Sequence, residues 1–333
     1  MSPYRLSDQE GDLPGIWRFR PSFEGMGELP PVTLGEGDTP LVWAEVLGEP
    51  VAFKLEYLNP TGSFKDRGTA VLVSWLTRRG VGLAVEDSSG NAGASFAAYA
   101  ARAGIKARIY VPSYASGPKR AQIAAYGADV VSVPGPRSRA SQAVQRDAAQ
   151  GMVYASHAWL PIGLAGFATV AFELVEQLGG APGAVICPAG QGSLLLGMAR
   201  GFEALLAGGS IRRLPRLIGV QAAACAPLAA WWRDGEEAAK QMAEGETLAE
   251  GVRIVRPLRP QAVVEAVKRS RGCFVVVAEQ DICEGRDQLA ARGFYIEPTS
   301  AVVWGALARL SEDLPQPVVV ILTGSGLKTP VSE

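Results

Sequence analysis

A lysine attacks an aldehyde only as its free amine, and Lys65 stands where that form is favoured. It opens a helical pattern directly after the turn Asn59-Pro-Thr-Gly-Ser-Phe64. The helix macrodipole disfavours a cation at that end and draws its pKa down. Taken alone, such a lysine is more often a solvated surface residue. Three other segments hold complementary groups. Ser88-Ser-Gly-Asn-Ala-Gly93 offers the Ser88 and Ser89 hydroxyls, Asn91 and the N–H groups of a following helix. That is either an anion nest fit for a carboxylate or a simple helix cap. Pro188-Ala-Gly-Gln-Gly-Ser-Leu194 brings Gly190, Gln191, Gly192, Ser193 and Leu194 to a helix start. Backbone amides there can close on a phosphate, although an ordinary tight turn explains the segment equally well. It is no dinucleotide fingerprint, since Leu195 stands where the third glycine belongs, and no Gly-Lys-Ser/Thr follows to make a Walker loop. Thr323-Gly-Ser-Gly-Leu-Lys328 is either a C-terminal turn or a hydroxyl set under a heteroaromatic nitrogen.

Together these four segments supply an amine nucleophile, a carboxylate nest, a phosphate cup and a partner for a pyridine. That inventory fits pyridoxal 5′-phosphate (PLP) bound to an amino acid.

Such groups converge when they leave the carboxyl ends of parallel strands. From about residue 50 the chain alternates short apolar runs with longer helical ones, which predicts an α/β fold. Strands are expected at 51–55, 82–86, 106–111, 129–133, 184–187, 217–220, 274–277 and 318–322. Helices are expected near Lys65 and at 91–102, 119–126, 163–178, 193–206, 280–291 and 299–310. The first 35 residues, rich in Pro and Gly, read as an extended arm, and 234–250 as a charged stretch forming an exposed helix or lid.

A chain of 333 residues exceeds the roughly 250–300 at which one core usually divides, so two domains are expected. Lys plus Arg number 32 against 33 Asp plus Glu, which leaves no basic field for nucleic acid. Cys187, Cys225, Cys273 and Cys283 have no zinc or redox spacing and read as reduced thiols. No signal core opens the sequence, and no window is expected to reach the roughly 18 uncharged apolar residues of a spanning helix. These features lead to the expectation of a soluble, cytoplasmic protein without metal, nucleic-acid or membrane partners.

The ten residues Asn59-Pro-Thr-Gly-Ser-Phe-Lys-Asp-Arg-Gly68 closely resemble the cofactor-lysine motif of fold-type II (tryptophan synthase β-like) PLP enzymes, the threonine synthase branch in particular. Gly15-Ile-Trp-Arg18, Gly35-Glu-Gly-Asp-Thr-Pro-Leu41, Ser89-Gly-Asn91, the glycine loop, Glu297-Pro-Thr-Ser-Ala301 and Thr323-Gly-Ser-Gly-Leu-Lys328 follow in the family order, so the likeness runs from about residue 15 to 328. The resemblance implies two doubly wound parallel-sheet domains with the cofactor in the cleft between them. The larger would comprise 1–67 and 161–333, and the smaller, mobile one 68–160. It implies that Lys65 carries PLP as a Schiff base, Asn91 bonds the cofactor 3′-oxygen, Gly190 to Leu194 cradle its phosphate, and Thr323 meets the pyridine nitrogen. Ser88, Ser89 and Asn91 would bind the amino-acid substrate, and Lys54 would neutralise a leaving phosphate; a strand-edge charge is the plain alternative for Lys54. The implied reaction turns O-phospho-L-homoserine and water into L-threonine and phosphate, with serine or threonine ammonia-lyase or another β-elimination or β-replacement activity as the alternative. Family members are usually homodimers.

Some positions depart from the family pattern. Gly163, in His157-Ala-Trp-Leu-Pro-Ile-Gly163, aligns with a phosphate-binding arginine; Ser325, Gln191 and Ala92 replace the usual His, Asn and hydroxyl residue. His157, the only histidine, reads as an interior or cleft-lining residue, and Glu297 as a helix-capping acid.

Overall fold

The computed structural model describes residues 1–23, 25–26, 29–113, 117–135, 137–310 and 313–329. Runs such as Val318-Val-Val-Ile321 lack a polar face, and strands of this kind are stable only when both sides are covered. They build a six-stranded sheet in the order β1 (Leu41–Val46), β2 (Glu49–Lys54), β10 (Val318–Ile321), β7 (Ala184–Pro188), β8 (Arg216–Ala222), β9 (Cys273–Val277). All neighbours are parallel except β1 and β2. Because side chains alternate along a strand, Ala52, Val185, Val319 and Ile321 face one core. Val51, Phe53, Ile186, Val318 and Val320 face the other. Helices α5 (Leu164–Leu178), α6 (Ser193–Ala207), α7 (Pro227–Asp234) and α9 (Pro260–Arg269) cover the first face. Helices α10 (Glu279–Ala290) and α11 (Pro298–Leu310) cover the second.

A second, four-stranded parallel sheet runs β5 (Asp129–Val133), β4 (Lys106–Pro112), β3 (Leu83–Glu86), β6 (Val153–Tyr154). One face packs on α1 (Lys65–Arg78), α2 (Asn91–Ala103) and Ile123 of α3 (Pro118–Ala125). The other packs on Ala140, Ala143 and Val144 of α4 (Arg137–Ala149), a single i, i+3, i+4 stripe in an otherwise polar helix. The two parallel sheets give the fold-type II architecture.

All eight expected strands are present. Edge strand β1 was not expected: its apolar run Leu41-Val-Trp-Ala44 is cut short by Glu45, and Val42 and Trp43 stay exposed. Nor was β6, only two residues long. The N-terminal segment is not an extended arm. It forms short 3-10 helices at Leu6–Asp8 and Gly15–Ser22, and buries Ile16 and Trp17 in the core of the smaller sheet and Tyr4 and Phe19 in that of the larger. Within 234–250 there is one short helix, α8 (Glu236–Lys240), which buries Ala239. Pro161–Leu178 is, against expectation, long and apolar enough to cross a membrane by composition, but 67% of it is buried inside the protein, where α5 packs against α6.

Candidate active site

Parallel strands in register send their following loops out of one edge. Ile321 lies opposite Lys54 and Val320 opposite Ile186. The loops 55–64, 189–192 and 322–328 therefore leave side by side, as the sequence pattern requires. Phe64 N–H donates to the Thr323 carbonyl (3.0 Å) and Ser63 bridges Gly324, which places Lys65 beside Thr323. The Lys65 Nζ lies 4.5 Å from the Phe64 ring centroid. The preceding turn needs glycine at 62, where φ is +85°, with the Lys328 chain packed against it. Asp66 closes the turn by accepting from Thr61 N–H (2.7 Å) and Thr61 Oγ1 (2.6 Å). Burial raises the Asp66 carboxyl to about 6, against the pull of those donors. The Thr61 carbonyl accepts from Lys328 Nζ (2.7 Å) and from Gln122 Nε2 (3.1 Å) on α3.

Two residues past Lys65, the guanidinium of Arg67 is fully buried between two carboxylates. It donates to Glu56 through Nε and Nη2 (both 2.7 Å) and to Glu173 through Nη1 and Nη2 (both 2.7 Å). Lys54 completes the cluster and corrects an expectation. It is buried, and its three N–H groups go to Glu173 Oε2 (2.6 Å), the Thr39 carbonyl (2.7 Å) and Gln177 Oε1 (3.0 Å). An ammonium has three donors, so none is left for a substrate phosphate. Burial lowers the Lys54 pKa and Glu173 pulls it back up. Burial alone would raise the Glu173 carboxyl, but Arg67 and Lys54 hold it well below the usual range. Two cations and two anions thus cancel, and the cluster pins the start of α1.

The glycine loop behaves as its composition suggests. Gly192, at φ +74°, turns β7 into α6, and any side chain there would strike Val263. Gly190 lies against the Gly251 backbone. The first N–H groups of α6 have no intrahelical acceptor and point out of the helix start. The Gln191 side chain turns away to accept from Leu258 N–H (3.0 Å).

Ser300, which the sequence reading did not single out, orients Thr323. Its Oγ accepts from the N–H groups of Thr323 and Gly324 (both 2.9 Å), which occupies both lone pairs. The Ser300 proton must then be donated, and Thr323 Oγ1 lies 2.9 Å away with the Gly324 carbonyl at 3.3 Å. The Thr323 hydroxyl thereby keeps its own proton for another acceptor.

From the smaller sheet, Asn91 at the start of α2 donates Nδ2 to Glu297 Oε1 (2.8 Å), while its buried Oδ1 has no hydrogen-bond partner among the described residues. Lys119 of α3, also unforeseen, reaches the other Glu297 oxygen (2.8 Å). The Glu297 side chain is therefore a cross-sheet tie rather than a helix cap. Gly324 leaves room for the Glu297 carboxylate, which a methyl group there would push aside. Ser88 Oγ accepts from Gly90 N–H (3.3 Å) inside the β3 exit turn, and Ser89 is half-buried beside it. His157 Nδ1 lies 2.7 Å from Glu86 Oε1. Gly163 packs on the backbone of Gly68.

An amine, a glycine-lined turn at a helix start, a hydroxyl with a proton to give and an orphaned buried amide oxygen fit PLP. The chain belongs to the pyridoxal-phosphate dependent enzyme family, whose sequence pattern matches residues 32–324. It is a PLP-dependent enzyme of fold type II. Among curated proteins it is similar to threonine synthase of Mycobacterium leprae, 36% identical over 312 residues covering 90% of this chain and 84% of the relative. It is also similar to threonine synthase of Methanocaldococcus jannaschii, 34% identical over 329 residues covering 95% and 81%. Among solved structures, the T.th. threonine deaminase superposes with a TM-score of 0.75 at 28% identity, covering 89% of this chain and 94% of that one. Maize serine racemase, at 22% identity and a TM-score of 0.74, covering 88% and 89%, supports the fold alone.

Proposed function

We propose that this enzyme is a threonine synthase, a PLP-dependent lyase converting O-phospho-L-homoserine and water to L-threonine and phosphate. The observation that carries the reading is the similarity to threonine synthases along nearly the whole chain, supported by a site whose groups fit the cofactor. Bound PLP would supply an electron sink for carbanions at the amino-acid carbons. Lys65 holds it and moves protons at Cα and Cβ as base and acid. The N–H groups from Gly190 to Leu194 hold its phosphate, Asn91 its ring oxygen, and Thr323 donates to its ring nitrogen. Ser88, Ser89 and the start of α2 hold the substrate carboxylate. Lys119 takes the role first read into Lys54. It is the cation beside Asn91, among the described residues it is paired only with Glu297, and a substrate phosphate can compete for it. The smaller sheet, roughly residues 68–160, closes over the cleft and keeps water from the reacting carbons until it is wanted.

The test is to incubate the PLP-loaded protein with O-phospho-L-homoserine and quantify threonine and phosphate in equal amounts. Ammonia from serine or threonine, with no threonine from phosphohomoserine, would overturn the proposal in favour of an ammonia-lyase. The absent side chain at Gly163 is the feature that favours that second reading.

A further inference from the structure

Leu258 and Arg259 lead into α9 beside the glycine loop. Leu258 N–H is held by Gln191 Oε1 (3.0 Å), and Val263, one turn on, fills the space over Gly192. From that anchor the Arg259 guanidinium crosses to the segment leaving β6, donating to the carbonyls of Ala158 (2.5 Å) and Trp159 (2.6 Å). The same segment is tightened by Ser156 Oγ, which accepts from Ala158 and Trp159 N–H (both 3.3 Å). It adjoins the Ser88 exit through His157 and Glu86. At its other end, Gly163 rests on Gly68 of the helix that Lys65 opens. Among the described residues Arg259 forms no ion pair, and burial together with Arg200 lowers its pKa. A planar fork spanning two consecutive carbonyls is a geometric device that lysine cannot reproduce.

We propose that Arg259 is a positioning residue that couples the phosphate loop to segment 156–163 on the substrate side of the cleft. Filling the loop holds Gln191 and Leu258 in place, and Arg259 carries that order to the backbone next to the substrate nest. The inference rests on the reading of the site given above.

The test compares amide hydrogen exchange in the PLP-free and PLP-loaded protein. Loading should slow exchange across 156–163 at least about fivefold in the wild type. Arg259→Ala should load PLP yet lose that protection, Arg259→Lys should regain less than half of it, and Gln191→Leu should lose it from the other end of the path. With substrate, Arg259→Ala should raise KM about tenfold with kcat changed about twofold or less. Unchanged protection of 156–163 in Arg259→Ala, or equal loosening of β3 and α9, would overturn the proposal. The exchange measurement needs PLP alone, so a failure of threonine synthesis would leave its result intact.

Discussion

Lys65 opens α1 beside Thr323, the place from which its amine would carry the cofactor in the function proposed above. Borohydride treatment of the loaded protein, followed by peptide mapping, should therefore place the cofactor on Lys65 and on no other lysine. Lys65→Ala should keep its fold and lose turnover by about three orders of magnitude or more, since one amine performs several proton transfers. Lys54 and Lys119 show where sequence reading stopped. A lysine ending a buried strand can face either a cleft or a core, and only the fold reveals that Glu173 lies across from it. Lys119 carried no signal of its own, being one basic residue in a polar helix, until α3 brought it to Glu297. The two should separate by experiment. Lys119→Ala should lower kcat/KM for phosphohomoserine by about 10- to 100-fold, the cost of about one charge-assisted hydrogen bond. Lys54→Met should instead destabilise by about 3 kcal/mol or more in urea unfolding, because it leaves the buried carboxylates of Glu56 and Glu173 to share the single cation of Arg67.

The elements that are apolar along most of their length were readable. The central strands and α5 and α6 announce themselves by apolar runs, whereas β6 and α4 depend on partners distant in sequence for their burial. In the glycine loop, local geometry and the proposed function make the same demand. A left-handed residue at 192, packed against Val263, ends β7 and begins α6 in one step. Gly192→Ala must therefore strain the backbone and push on α9 together. The expected result is a cofactor dissociation constant raised by about tenfold or more, measured by absorbance titration, with circular dichroism little altered. An unchanged dissociation constant would remove the phosphate-cup role from this loop.

At the scale of the molecule, one buried amine sits where the C-terminal turn of the larger sheet meets α3 of the smaller. Lys328 joins the C-terminal turn to Thr61, which Gln122 also grips from the smaller sheet. Burial lowers the Lys328 pKa from 10.5 to about 8, opposed by Asp66 and Glu297 and aided by Lys119. A depressed amine pKa means that folding favours the neutral form. Its contribution to stability is complete above the unfolded value of 10.5 and is lost as pH falls through about 8. Asp66 has the opposite slope: its carboxyl is raised from 3.8 to about 6, so its contribution is complete below 3.8 and is lost as pH rises through about 6. Near neutral pH both groups are ionised, and each offsets part of the other's desolvation cost. Lys328→Met keeps the packing over Gly62 and leaves Gln122 on the Thr61 carbonyl, so it removes the charge and the one hydrogen bond from Nζ to that carbonyl. Urea unfolding of the two proteins from pH 7 to 10.5 should show the wild type gaining on the variant by up to about 3 kcal/mol as Lys328 discharges. In the acid range the variant's Asp66 should titrate above the wild-type value, having lost its nearby cation. A constant stability difference across the alkaline range would mean that Lys328 is charged or neutral alike in both states, and that the seam between the sheets does not titrate through it.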